Sequence, residues 1–326
     1  MARGKNMSFA PPKMTPKGLF RRTPPAMFPP VLGLMGLGIA WRRGVGQFAL
    51  PPDLAELFLG AVTLLALFTL VAYGAKVVRR PGVVFEDLRV LPGRAGLAAG
   101  TLTIYLIAAS LAPYGGLATV IFWLGVAVHL GLIAAVIYTL ATGPAEQRRV
   151  NPTWQLTFSG WIVGAVAGVI LGLDTVALVM FWVAMLSAVV IWMISLQQFS
   201  RERVPAPLRP LLAIHLAPAA LIGTVASAFG AMGIAQAMAI LAAAFLLALV
   251  VSIRWLLAGG FSPLWGAFTF PAAATAGCWL ALGGVWELPG ALMLTAATLI
   301  VVPIALKVLQ LWAKGQLAMK TNAAIA

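Results

Sequence analysis

The sequence predicts an all-α integral membrane protein, and three observations carry that prediction. Of its 326 residues 62% are hydrophobic and only 9% charged, with a mean hydropathy of +0.99, whereas a soluble domain is about 45–50% apolar and about 25% charged. The apolar residues gather into runs close to the roughly 20 residues that one helix needs to cross the hydrocarbon core. The basic residues fall between those runs or near their ends rather than in their middles.

Taken in order, residues 1–25 form a basic tail with Arg3, Lys5, Lys13, Lys17, Arg21 and Arg22. The tail has no apolar stretch followed by a small-residue cleavage site, so it reads as a retained cytoplasmic segment and not as a signal peptide. Ten spans are predicted next, over 26–42, 54–77, 95–113, 115–142, 152–172, 175–198, 208–229, 232–256, 263–284 and 288–312, which together make a transmembrane domain of residues 26–312. A short cytoplasmic tail, 313–326, closes the chain.

The topology follows from where the charges lie. Besides the N-terminal tail, the second connection carries Lys76, Arg79, Arg80, Arg89 and Arg94, and the fourth Arg148 and Arg149. The sixth carries Arg201, Arg203 and Arg209, the eighth Arg254, and the C-terminal segment Lys307, Lys314 and Lys320. Twenty of the 22 basic residues thus lie on one side, and the odd-numbered connections hold only Arg42 and Arg43. Lys and Arg accumulate on the cytoplasmic side, so both termini are expected there, with an even number of spans and a bacterial-type inner membrane as the location. The net charge of +14 needs no nucleic acid to explain it; a basic inner face also suits anionic lipid.

The spans are not alike. The first contains Pro29, Pro30, Gly33, Gly36 and Gly38; the third Gly96 and Gly100; the fifth Pro152, Gly160, Gly164, Gly168 and Gly172. The seventh contains Pro210, Pro218 and Gly223, and the ninth Gly266, Pro271 and Gly277. The fourth, sixth and eighth spans contain no proline, and the sixth contains no glycine; Pro303 makes the tenth an exception. Proline frees a backbone carbonyl that lipid cannot satisfy but neighbouring protein or a wet cavity can, so the odd spans are predicted to be inner and the even spans lipid-facing. Glycines four residues apart, as in the fifth span, also serve close helix packing.

Four stretches in order, FPPVLGLMGLGIAWR at 28–42, FEDLRVLPGRAG at 85–96, LAIHLAPAAL at 212–221 and FSPLWGAFTFPAAATAG at 261–277, give the chain a resemblance to the tellurite-resistance and dicarboxylate transporter family. That family includes TehA-like bacterial proteins and plant slow anion channels. The resemblance implies ten transmembrane helices arranged as five helical hairpins in a quasi-fivefold ring around a central pore, assembled as a homotrimer. It also implies a pore-plugging phenylalanine on the ninth span. The matching position is Phe270, with Phe268 as the neighbouring alternative, and an apolar ring suits gating by exclusion of water. Pore-lining or kink positions are expected at Pro30, Gly33, Gly36, Pro152, Gly164, Pro218 and Pro271.

Selectivity is less legible, because no odd span has a basic residue in its middle. Lumen-facing amide dipoles, a basic cytoplasmic vestibule and the lack of intramembrane carboxylates are expected to favour anions over cations. Two histidines fall inside spans. His215, on an inner span before Pro218, is a candidate for pH tuning, and His129, on an outer span, is expected to hydrogen-bond between helices. Asp174 and Glu287 fall at the external edge, and Cys278, with no second thiol to pair with, reads as a small buried hydrophobe.

Three classes of function compete. The first is an anion channel or facilitator for chloride, nitrate, sulfite or tellurite-related oxyanions; the second is a proton-coupled carrier of C4-dicarboxylates such as malate. Coupling needs a titratable intramembrane site, and only the two histidines qualify, which favours the channel. A membrane enzyme is the third, yet HExxH, GxSxG and phosphate-binding glycine loops are missing from the sequence, and no one span holds a pair of carboxylates. No metal or other cofactor is expected.

Overall fold

The computed structural model describes residues 18–326, so the first 17 residues of the basic tail lie outside the described part. Helix α1 (Phe28–Gly44) is followed by α2 (Pro52–Arg79), the short α3 (Val83–Arg89), α4 (Leu91–Leu111) and α5 (Leu117–Thr142). Two pieces, α6 (Trp154–Phe158) and α7 (Trp161–Ile170), precede α8 (Asp174–Arg201). Then come α9 (Leu216–Ala228), α10 (Met232–Val251), α11 (Ile253–Leu256), α12 (Thr269–Leu282), α13 (Glu287–Ala313) and α14 (Gln316–Lys320). Among the described residues no strand occurs.

Seven of these helical segments are long and apolar enough to cross a membrane. The other three predicted spans are shorter as helices: α1 has 17 residues, the span over 152–172 divides between α6 and α7 at Ser159 and Gly160, and α12 has 14. The prolines explain much of this. Residues Ala206–His215, containing Pro207 and Pro210, form a 3₁₀ helix ahead of α9, and Pro263–Phe268 form another ahead of α12. A proline cannot give the N–H that an α-helix interior requires, but it is tolerated in the first turn, where that N–H has no partner anyway. Pro29 and Pro30 in α1, Pro92 in α4, Pro218 in α9 and Pro271 in α12 all occupy first turns. Pro218 and Pro271 thereby stand where a 3₁₀ stretch passes into α-helix, Pro218 near the middle of the continuous apolar segment Ala206–Ala228.

Burial separates two sets of helices. The apolar windows of α4 and of residues 206–228 are 83% buried, against 17–33% for α2, α5, α8, α10 and α13; α1, α7 and α12 are also mostly buried. The buried helices pack in a closed circuit, α1 on α4, α4 on α7, α7 on α9, α9 on α12 and α12 back on α1, and each also packs on the long helix that follows it. The long helices expose large apolar side chains such as Leu57, Leu64, Val120, Leu186, Leu247 and Leu299. In water that surface would be a liability; in lipid it is the solvent-matched face.

Both ends of the described chain meet on one side of the helical body. The Ala326 N–H donates to the Arg21 carbonyl at 3.0 Å, and the Ala324 N–H donates to Asp87 Oδ1 at 2.8 Å. Asp87 and Lys76 are fully buried and paired at 2.8 Å; Tyr73 donates to the same carboxylate at 2.9 Å, and Lys76 also donates to the Thr23 carbonyl at 3.0 Å. The segment expected as a tail, 313–326, is thus partly a docked element, with Leu317 of α14 fully buried.

Candidate functional site

The five buried helices enclose a stack of cavities. The first, about 40 Å³, lies toward their N-terminal ends and is lined wholly by apolar groups, among them Pro29, Ala95, Leu156, Leu211, Pro263 and Phe270. The second, also about 40 Å³, lies toward their C-terminal ends and is lined by Gly36, Ile39, Arg43, Leu106, Val163, Thr224 and Phe270 among others. The third widens to about 410 Å³ and shares Arg43, Val166 and Thr224 with the second. Each small cavity has room for an occupant of the size of a water or a small ion.

Phe270, 6% exposed, is the one residue that lines both of the first two cavities. The backbone that carries it is fixed locally. Thr269, fully buried, donates to the Gly266 carbonyl at 2.7 Å and lies 3.1 Å from the Pro29 carbonyl, which clamps the start of α12 against the start of α1. Gly33 is what lets the two helices come so close, since a Cβ there would overlap the Thr269 side chain. One turn on, a Cβ at Gly36 would stand 2.9 Å from two atoms of the Phe270 ring. Carbon atoms do not pack at that distance, so Gly36→Ala is expected to push the ring aside. The measurable result is a small anion leak in proteoliposomes that disappears as an added effect when Phe270 is already alanine.

The other predicted positions are placed as follows. Pro271 lines the first cavity and Gly36 the second. Pro30 packs against Gly266, and Gly164 faces Met180 and Tyr105, so these two serve helix contact. Pro152 precedes α6, and Pro218 is buried in the first turn of α9; neither lines the cavities described. Phe268 closes the 3₁₀ helix and sits edge-on to Trp265 at 6.1 Å, outside the three cavities. His215 is buried with neither ring nitrogen hydrogen-bonded to any described residue, and it too lies outside the cavity linings, although its neighbours Ile214 and Ala217 belong to the first. His129 bridges helices: Nε2 is 2.9 Å from the Thr157 carbonyl, Nδ1 is 3.4 Å from the Tyr105 hydroxyl, and Trp161 packs at 4.2 Å. Cys278 is fully buried, and no cluster of metal-ligating side chains occurs among the described residues.

Arg43 was missed by sequence reasoning. Helix α1 continues to Gly44, which brings Arg43 from the expected external connection into the last turn of a cavity-lining helix.

A helical chain with lipid-length apolar segments around a central stack of cavities is, by class, a membrane transport protein. The voltage-dependent anion channel family matches residues 22–312, and the chain belongs to that family, in keeping with its resemblance to the tellurite-resistance and dicarboxylate transporters. Its work is therefore the passage of small anions across a lipid bilayer, and the family comprises channels and transporters rather than enzymes. No curated protein matches the chain.

Proposed function

We propose that the chain is a channel for small monovalent anions, gated by Phe270, in a bacterial-type inner membrane with both termini cytoplasmic. The observation that carries the reading is the shared residue: Phe270 lines both of two cavities that together touch all five buried helices, which supports a ring standing between them. The crossing elements are read as ten, each short inner α-helix being completed by the 3₁₀ or helical piece before it, in five hairpins around the pore. The same-side meeting of the described ends supports an even number of crossings, and the distribution of Lys and Arg supports the cytoplasmic side.

Charge and size favour monovalent ions. Moving an ion into an apolar constriction costs desolvation that rises steeply with charge, so nitrate and chloride fit the two small cavities better than doubly charged sulfite or malate. Neither histidine lines the described cavities, which supports a channel over a proton-coupled carrier. The test is flux through purified protein in liposomes. Nitrate is expected to exceed chloride by a few-fold, reflecting its weaker hydration, with malate near background and no response to a pH gradient. Malate uptake that requires an inward proton gradient would establish the carrier instead.

A further inference from the structure

We infer that Arg43 is an anion-selecting site at the mouth of the pore on the side of the C-terminal ends of the buried helices, where it takes a small monovalent anion before the constriction. This inference rests on the channel reading above. Four observations support it.

Arg43 lines both the 410 Å³ cavity and the narrow 40 Å³ one, so it stands where the path tightens toward Phe270. Its side chain is exposed although its helix is largely buried, as expected of a group facing a lumen. Among the described residues the guanidinium has no carboxylate partner; one Nη1–H reaches the Gly277 carbonyl at 2.8 Å, and its other donors have no hydrogen-bond partner there. Arg42 next to it is the opposite case, held by Glu56 at 2.6 Å and by the Ser110 carbonyl at 2.9 Å. Asp174 and Glu287, at the same end of the helical body, open lipid-side helices, and Glu287 accepts from Gln47 at 2.6 Å.

Arginine suits this task because it stays charged and presents a fixed fork of N–H donors that hold an anion without deprotonating. The Gly277 hydrogen bond fixes the head, so binding an anion costs little ordering. Rings of basic side chains select anions in other pores; here a single cation at a narrowing acts on ions in single file.

The test uses the full chain carrying Phe270→Ala, reconstituted in bilayers under a sodium chloride gradient, so that reversal potential gives the chloride-to-sodium permeability ratio. Adding Arg43→Gln is expected to lower chloride conductance and that ratio by about fivefold, the weight of one charge acting across a few ångströms of water. Arg43→Lys, which keeps the charge but loses the fork, should fall between the parent and Arg43→Gln, and Arg43→Glu should shift the ratio toward sodium. A second readout needs no open pore: nitrate, relative to gluconate, should raise the unfolding temperature of otherwise wild-type protein, and Arg43→Gln should abolish that increment. If Phe270→Ala conducts while Arg43→Gln and Arg43→Glu leave the ratio unchanged, the Arg43 site is overturned and the channel reading stands. If Phe270→Ala conducts nothing, the channel reading fails, and loss or survival of the nitrate increment in Arg43→Gln decides the site alone.

Discussion

Phe270→Ala is expected to convert a nearly silent protein into an open anion pore, raising chloride and nitrate current by about two orders of magnitude. The size follows from what the ring does. Phe270 is the one residue common to the two cavities, and on the proposed reading its ring closes the path between them, so that removing it joins them. A dewetted apolar constriction is a barrier to any ion, and lowering a barrier by about 3 kcal/mol is worth about two decades in rate. Stability should suffer less than the ~3–5 kcal/mol typical of Phe→Ala in a closed core, because the ring already borders space on two sides. Phe268→Ala is the matched control. That ring packs on Trp265 outside the cavities, so its removal is expected to leave the current at the wild-type level. Single-channel recording of the two variants side by side separates a gate from an aromatic-rich stretch that merely tolerates loss.

Much of the architecture was legible because a bilayer restricts what a sequence can do. Lipid demands continuous apolar helices, and the expected 54–77 and 175–198 correspond to α2 and α8 within a few residues. The division into buried and exposed helices was legible for a packing reason: Gly33 and Gly36 admit neighbouring side chains where any Cβ would collide, whereas Gly60, Gly74, Gly131 and Gly233 of the smoother spans face open space, with Gly125 and Gly290 as exceptions. Phe270 is proposed as the gate through the resemblance alone, since a phenylalanine in an apolar run carries no local mark of such a role. What the sequence did not reveal depends on distances that pattern cannot supply. Prolines signalled disturbance, but not that 3₁₀ turns would absorb it ahead of α9 and α12. Arg43 was hidden by helix length: two further residues of α1 move it from a connection into a helix that lines the cavities. Lys76 was counted among the basic residues of an exposed connection, whereas it is fully buried, because its partner Asp87 is brought back eleven positions later by the short helix α3.

That pair leads to the second large effect, on stability rather than conduction. Asp87 accepts from Lys76, from the Tyr73 hydroxyl and from the Ala324 backbone N–H, and so joins α2, α3 and the C-terminal segment, while Lys76 extends the network to the Thr23 carbonyl. Asp87→Ala leaves a buried ammonium without its counter-charge, a change that costs about 3–5 kcal/mol in comparable buried pairs. Lys76→Ala is expected to cost a similar amount from the other side. The nearby Arg80–Glu86 pair is a useful contrast: its side chains are 42% and 43% exposed, and exposed pairs contribute about 1 kcal/mol or less, so Glu86→Ala should barely move the unfolding temperature. Charge is separated from shape by Lys76→Met combined with Asp87→Leu. Replacing both members with apolar groups removes the desolvation cost along with the attraction, so the double variant should recover most of the stability lost by either single one. A double variant as unstable as the sum of the two would mean that the hydrogen bonds to Tyr73, Ala324 and Thr23, and not the ion pair, hold the two ends of the chain against the helical body.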